Sequence, residues 1–223
     1  MGRTSGRLRT AVIRVDLHLH SSASADCKVG PKEVAARCRR LGLSPVFLTD
    51  HNSIEGASLL EAIAGQRVVV GEEILTSAGE LIGLFLSRPI PKGLTPTETA
   101  REIKDQGGLV YLEHPYDQFR RHLTEEAIEA LADLIDIVEV FNGRSDSEAN
   151  RRAADLRDTL GAAPGAGSDA HTIREIGSVY VQMEDFAGAS DFLAKLRRSK
   201  IVKRPSGRLR MAGARLAGRI RGG

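Results

Sequence analysis

The stretch Ala11-Val12-Ile13-Arg14-Val15-Asp16-Leu17-His18-Leu19-His20 sets the reading of the whole chain. Its first seven residues form a short, mostly apolar run of the kind buried in a sheet. The run ends in a His-x-His pair. On a strand, residues i and i+2 point to one face, so both imidazoles can reach one ion. Asp16 shares their parity and is placed to orient a histidine from behind. Four clusters repeat the theme: Thr49-Asp50-His51, Glu72-Glu73, Glu113-His114 and Ser168-Asp169-Ala170-His171. Together with the His18–His20 pair they take in five of the six histidines, and each follows or ends a segment that reads as a strand. Carboxylates and imidazoles gathered at the ends of several strands make a multinuclear metal site.

The segments between the clusters alternate in type. Ala11 to Leu17, Pro45 to Leu48, Arg67 to Gly71, Leu109 to Leu112 and Ile137 to Phe141 are short and rich in Val, Ile, Leu or Phe. They read as strands buried on both faces. Leu81 to Leu86 adds a strand after the turn Ser77-Ala78-Gly79; Val179 to Met183 and Ile201 to Lys203 add weaker ones. Pro31 to Leu41 places Val34, Cys38 and Leu41 on one helical face, with Gly42 as the stop. Thr95-Pro96-Thr97-Glu98 has capping-box spacing with proline at the first helical position. Ile128, Leu131 and Ile135 make another helical stripe, and Phe192, Leu193 and Leu196 a further one. This alternation indicates an α/β domain over residues 11–204 with a mainly parallel sheet. An open doubly wound sheet and a barrel both fit the pattern. Ligands drawn from several strand ends favour the barrel, whose C-terminal rim carries its chemistry.

The bulk properties narrow the class. The chain has 223 residues, 41% of them apolar, enough for a packed core. No apolar run approaches the ~20 residues of a membrane span. The basic N-terminus precedes no extended apolar region of the secretory type, and two cysteines make no disulfide framework, so a cytoplasmic protein is expected. The net charge of +3 conceals an asymmetry. Segments 1–10 and 203–223 carry ten basic residues and no acid, which leaves −7 for residues 11–202. An acidic globule suits cations. The basic ends, residues 1–10 and the tail 205–223, suit a polyanion such as nucleic acid, a membrane surface, or solubility alone.

Taken in order, Asp16-Leu17-His18-Leu19-His20-Ser21, Thr49-Asp50-His51, Gly71-Glu72-Glu73-Ile74, His114-Pro115 and Gly167-Ser168-Asp169-Ala170-His171 resemble the motifs of the polymerase and histidinol phosphatase (PHP) superfamily. The resemblance runs from about Val12 to Lys203. It implies a distorted (β/α)7 barrel with two or three divalent ions (Mn, Zn or Fe) at the C-terminal ends of the strands, and hydrolysis of phosphoesters. It further implies that His18, His20, Glu73 and Asp169 hold the first metal. Glu73 bridges to a second held by His114, and Asp26, His51 and His171 hold the third. Glu72 and Glu73 point to opposite faces of a regular strand. The resemblance selects Glu73 for the pocket and leaves Glu72 a supporting role.

Many relatives carry another histidine shortly after the bridging glutamate; the matching position here is Glu80. A carboxylate there ligates a hard ion such as Mn²⁺ or Mg²⁺. The alternative is a solvated hairpin carboxylate. His122 reads as a surface residue. Arg120, Arg121 and Arg144 follow the fourth and fifth strands, where a guanidinium fork would meet a substrate phosphate. Asn142 either bonds substrate or caps a turn. No nucleophile elbow, Cys-x-x-Cys or Gly-x-Gly-x-x-Gly pattern is present. With no tryptophan and 4% aromatics, stacking platforms for single strands look poorly supplied.

Three functions follow. The first is a metal-dependent phosphoesterase on a small phosphorylated metabolite or nucleotide, in which Asp169, His171 or His51 moves protons. The second is an exonuclease on oligonucleotides gripped by the basic ends. The third is a non-catalytic module that binds through those ends. The substrate, the metal and the oligomeric state stay open at this level.

Overall fold

The computed structural model describes residues 11–64 and 67–204; the two basic ends lie outside the described residues. In chain order the elements are β1 (Val12–Val15), α1 (Pro31–Leu41), β2 (Val46–His51), α2 (Glu55–Ala64), β3 (Val68–Thr76), β4 (Gly79–Leu84), α3 (Pro96–Asp105) and β5 (Leu109–Leu112). There follow α4 (Glu125–Ala130), β6 (Ile137–Asn142), α5 (Ser147–Leu160), β7 (Ala163–Gly167), β8 (Val179–Glu184), α6 (Ala189–Leu196) and β9 (Lys200–Lys203).

Strands β2 to β7 form one curled six-stranded sheet in sequence order. The pairs β2–β3, β5–β6 and β6–β7 are parallel, whereas β4 runs antiparallel to both neighbours. The sheet is therefore mixed rather than mainly parallel, because β3 and β4 form a hairpin at the turn the sequence places over Ser77-Ala78-Gly79, which reverses the direction of β4. A separate antiparallel sheet, β1–β8–β9, packs beside it. The half-barrel is bridged by the segment that follows β1. Leu17 N–H donates to Ala166 O and Asp169 N–H to His18 O, on the β7 side. Thr49 N–H donates to Leu19 O, on the β2 side. The distorted barrel therefore closes through the stretch that carries His18 and His20.

Strand parity explains where the polar site sits. On β3, Val69 lies in the central apolar cluster and Glu73, four residues on, shares its face. Phe47 and His51 on β2 repeat this, as do Ile137 and Glu139 on β6. Antiparallel β4 reaches the same rim from its start, so Glu80 precedes Ile82 and Leu84. Apolar residues fill one end of the ring and ionisable groups the other. A C-terminal rim thus holds for the parallel strands, whereas β4 contributes its N-terminal end.

Local chemistry sets the helix ends. Thr95 Oγ1 accepts from Glu98 N–H, and Glu98 Oε2 accepts from Thr95 N–H at 2.9 Å, the expected reciprocal cap of α3. Helix α1 starts at Pro31 and stops at Gly42, whose φ of 66° is open to glycine at little cost. The Ile128–Leu131–Ile135 stripe is only partly helical: α4 ends at Ala130 and the chain turns through Leu134. Helices α2 and α5 and strand β7 extend the sequence reading. The core face of α5 is small, with Ala149 and Ala153 buried, and its caps Asp146 and Gly161 mark it better than its apolar content. Strand β7, Ala163-Pro164-Gly165-Ala166-Gly167, lacks branched residues because neighbours press on it. A Cβ at Gly167 would lie 2.3 Å from His18 Cβ.

Candidate metal centre

The deepest residues of the site are His18, His20 and Glu73, each at most 1% exposed. The Nε2 atoms of His18 and His20 both stand 3.2 Å from Glu73 Oε2, the same-face convergence that their spacing suggests. The other Glu73 oxygen, Oε1, lies 3.1 Å from His114 Nε2. With His51 Nδ1 3.4 Å from Oε2 as well, Glu73 stands between four imidazoles. Asp169 Oδ1 is 3.5 Å from His20 Nε2 and 3.9 Å from His18 Nε2. On the outer side, His171 Nε2 is 2.9 Å from Asp26 Oδ2, with His51 Nε2 3.6 Å from the same oxygen. The side chain of Asp26 is 55% exposed and marks the solvent edge.

Glu80 is buried and faces this centre, with Oε1 3.7 Å from His51 Nδ1. It is no solvated hairpin carboxylate. Burial and the nearby Glu73 charge push its pKa up to about 7. Glu72 points the other way, as parity requires, and accepts from Ile90 N–H at 2.8 Å. His122 is half-buried and its Nδ1 lies 2.8 Å from Asp117 O, apart from the cluster.

Two buried aspartates hold the loops that carry the clustered histidines. Asp16 accepts from Ser168 N–H (2.8 Å), Ser168 Oγ (2.6 Å) and Gly177 N–H (3.0 Å). It therefore positions the loop carrying Asp169 and His171; it does not orient a histidine ring. Asp50 does the same for the first loop, accepting from Ser21 N–H (2.6 Å), Ser21 Oγ (2.7 Å) and Ser24 Oγ (2.8 Å). The ring partner of His18 is Glu139, a fully buried residue of β6 that the motif reading passes over. Its Oε1 lies 3.2 Å from His18 Nδ1 and accepts from Tyr111 Oη, while Oε2 accepts from His114 N–H and Asn142 Nδ2. A carboxylate inside the apolar run Ile137-Val138-Glu139-Val140-Phe141 was the available signal, since a strand buries a charge only where it has partners. Asn142 bonds to Asn150, Arg144 and Glu139 and so fastens the rim; its Nδ2 also reaches Asp169 Oδ2 at 3.4 Å.

Two of the three arginines enter the site. Arg120 Nη2 lies 2.9 Å from Asp169 Oδ2, and Arg144 Nη1 lies 3.8 Å from Asp169 Oδ1 and 2.6 Å from His171 Nδ1. The side chain of Arg121 is exposed and stays outside, though its charge acts on Glu80. His114 and Asp169 adopt positive φ, 30° and 52°, which non-glycine residues avoid unless the surroundings fix them.

The electrostatics follow from burying opposite charges together. Burial alone would lower the histidine pKa values, but the carboxylates outweigh it at three of them. Glu139, Glu73 and Asp169 raise His18, and His20 and His114 both rise to about 9. Glu73 and Asp169 move down despite burial, drawn by the same histidines. At the outer edge burial dominates and lowers His51 and His171.

The residues fit divalent cations. Five groupings among the described residues bring three donor atoms within 4.8 Å of one another, including His18–His20–Glu73, His51–Glu73–Glu80 and His20–His51–His171. Buried His20 Nε2 makes no well-directed hydrogen bond even with Glu73 Oε2 3.2 Å away, and buried His114 Nδ1 makes none within the protein, an arrangement costly for imidazoles that serve only the fold. The mixed imidazole and carboxylate set matches ions such as Mn, Fe or Zn.

The sequence matches the family model of the PHP domain over residues 16–135, and that of the PHP-associated region over 147–201. The chain belongs to the PHP family. Two uncharacterized proteins of Methanocaldococcus jannaschii resemble it. MJ1587 is 40% identical over 144 residues, covering 58% of this chain and 82% of the relative. MJ0417 is 35% identical over 181 residues, covering 78% and 71%. Among solved structures, the chain is similar to a two-domain protein of Bacteroides vulgatus described as containing a predicted PHP-like metal-dependent phosphoesterase. The TM-score is 0.74 at 20% identity, over 87% of this chain and 66% of that one. It also resembles the lesion-specific endonuclease PfuEndoQ of Pyrococcus furiosus, with a TM-score of 0.65 at 16% identity, over 86% of this chain and 58% of that one. These likenesses concern the fold, a distorted PHP-type barrel. Together with the family match, the buried donor set makes this PHP protein a metal-dependent hydrolase. No helix among the described residues is long and apolar enough to cross a membrane.

Proposed function

We propose that this PHP protein hydrolyses phosphate esters of a small metabolite or nucleotide. The observation that carries this reading is the meeting of two guanidinium groups, Arg120 and Arg144, with the buried histidine–carboxylate cluster at Asp169. Cationic forks beside a cation site suit a substrate that is itself polyanionic, and a guanidinium matches the planar spacing of phosphate oxygens.

In this reading His18, His20, Glu73 and Asp169 hold one ion. Glu73 with His114 and Glu80 holds a second, and Asp26, His51 and His171 a third. Divalent ions there would supply a water nucleophile at neutral pH and positive charge opposite the phosphoryl oxygens. The chain's own residues do the rest. Arg120 and Arg144 bind the non-bridging oxygens and stabilise charge that grows on them. Asp169 holds both guanidinium groups over the cluster. The downward shift of His51 and His171 keeps them neutral near pH 7, the state that donates a lone pair.

The test is a phosphoester panel run on enzyme with defined Mn, Zn or Fe loading, beside His18→Ala. Phosphate release that disappears on chelation, returns with metal and is missing in the variant is the expected result. Fully loaded enzyme that is inert across mono- and diesters would overturn the reading.

A further inference from the structure

The loop between β5 and α4 carries a feature that phosphate recognition does not need. Phe119 is 92% exposed, the most exposed large apolar residue among those described. A lone exposed apolar side chain is ordinary on a protein surface. This one is not ordinarily placed, because the loop is tied to the site on three sides. Asp117, itself buried, accepts from Phe119 N–H at 2.9 Å and from Ser145 Oγ at 2.6 Å, which fixes the loop to the β6–α5 rim. The next residue, Arg120, reaches Asp169. The one after, Arg121, accepts from Glu80 N–H through its backbone oxygen at 2.6 Å. Farther on, His122 packs so tightly on the hairpin that a Cβ at Gly79 would lie 2.5 Å from its carbonyl oxygen. Phe119 is therefore held at the mouth, one residue from a guanidinium inside the site, and its ring is left in water.

We propose that Phe119 is a stacking platform for the base of a nucleoside phosphate, with Arg120 on the scissile phosphate and the exposed Arg121 available to a neighbouring phosphate. This rests on the phosphoesterase reading above and names its substrate class. An aromatic face followed directly by two arginines complements what a nucleotide presents, a planar π surface beside an anion. A sugar phosphate without a base would leave the ring unused. Composition suggests that stacking platforms are scarce in this chain, and a single phenylalanine in this position suffices for one base.

Two experiments test the subsite. The first compares adenosine 5′-monophosphate with ribose 5-phosphate, which share the phosphate and the sugar and differ in the base. Phe119→Ala is expected to lower the ratio of their kcat/KM values by about five- to a hundred-fold, acting through KM for the nucleotide, while Phe119→Trp keeps the ratio. A ratio that stays the same in Phe119→Ala overturns the proposal. The second experiment needs no turnover. The chain contains no tryptophan, so Phe119→Trp places a sole indole reporter at the mouth. Saturable quenching by adenosine 5′-monophosphate that ribose 5-phosphate does not produce supports the platform; equal responses, or none to either compound, overturn it. Specific quenching in a protein that cleaves no phosphoester would preserve the subsite and overturn the phosphoesterase reading, so the two failures are distinguishable.

Discussion

The floor and the rim of the pocket are built on different principles. The floor, with His18, His20, Glu73, His114 and Glu139, sits on or just beyond strands, is almost wholly buried, and takes its geometry from strand register. The rim, with Arg120, Arg144, Asp26 and Phe119, sits on loops, is partly exposed, and takes its geometry from side-chain ties such as Asp117–Ser145. Burial makes each floor contact expensive to lose, because a charge deprived of its partner stays desolvated. Exposure makes the rim more tolerant and leaves it free to specialise. The floor should therefore govern metal content and the rim should govern substrate.

That contrast is open to direct attack. The largest effect is expected from His18→Ala, which removes the imidazole at the centre of the floor. Bound metal, counted by elemental analysis, should fall together with phosphate release, to the level of chelator-treated enzyme. Retention of full metal content would show that the floor does not depend on this ligand. Asp50→Ala removes the acceptor of three hydrogen bonds under the His20 loop and should cost about 3 kcal/mol of stability, read from chemical denaturation. A change within error would mean that the loop is held elsewhere.

Arg120→Ala tests the rim. It should lower kcat by about a hundredfold while metal content stays at the wild-type level. Metal lost in parallel would collapse the distinction between floor and rim. Glu139→Gln keeps the shape but removes the charge facing His18. Metal affinity should weaken by about ten- to a hundredfold in titration calorimetry, and His18 should lose its fixed tautomer, visible in its ¹⁵N spectrum. The smallest effect concerns chemistry away from the pocket. Burial pushes the Cys38 thiol up to about 12. At pH 8, below that value, the group stays a neutral thiol in the folded protein, so alkylation followed by mass spectrometry should be negligible until the chain unfolds.

Elements that carry repeated, local signals were legible from residue order alone. His18 and His20 follow from the period of a strand, α3 from Thr95 and Glu98 at capping distance, and the separate fates of Glu72 and Glu73 from strand alternation. Family motifs added the order of ligands. Signals were absent where the local chain does not contain the cause. Strand β7 is made of Ala, Pro and Gly because His18 and Tyr111 press against it, and both are far away in sequence. Glu139 looks like a misplaced charge in an apolar strand until His18, Tyr111 and Asn142 come to surround it.

That Glu80 faces the pocket follows from strand pairing instead, because β4 runs backwards and enters the rim at its start. The tertiary structure also decided which arginines count. Arg120 and Arg121 are neighbours of the same type, yet one reaches Asp169 and the other faces solvent. Local sequence encodes dihedral preference and periodicity. Which charges meet is settled by the long-range pairing of strands and loops, and the chemistry of this site depends on those meetings.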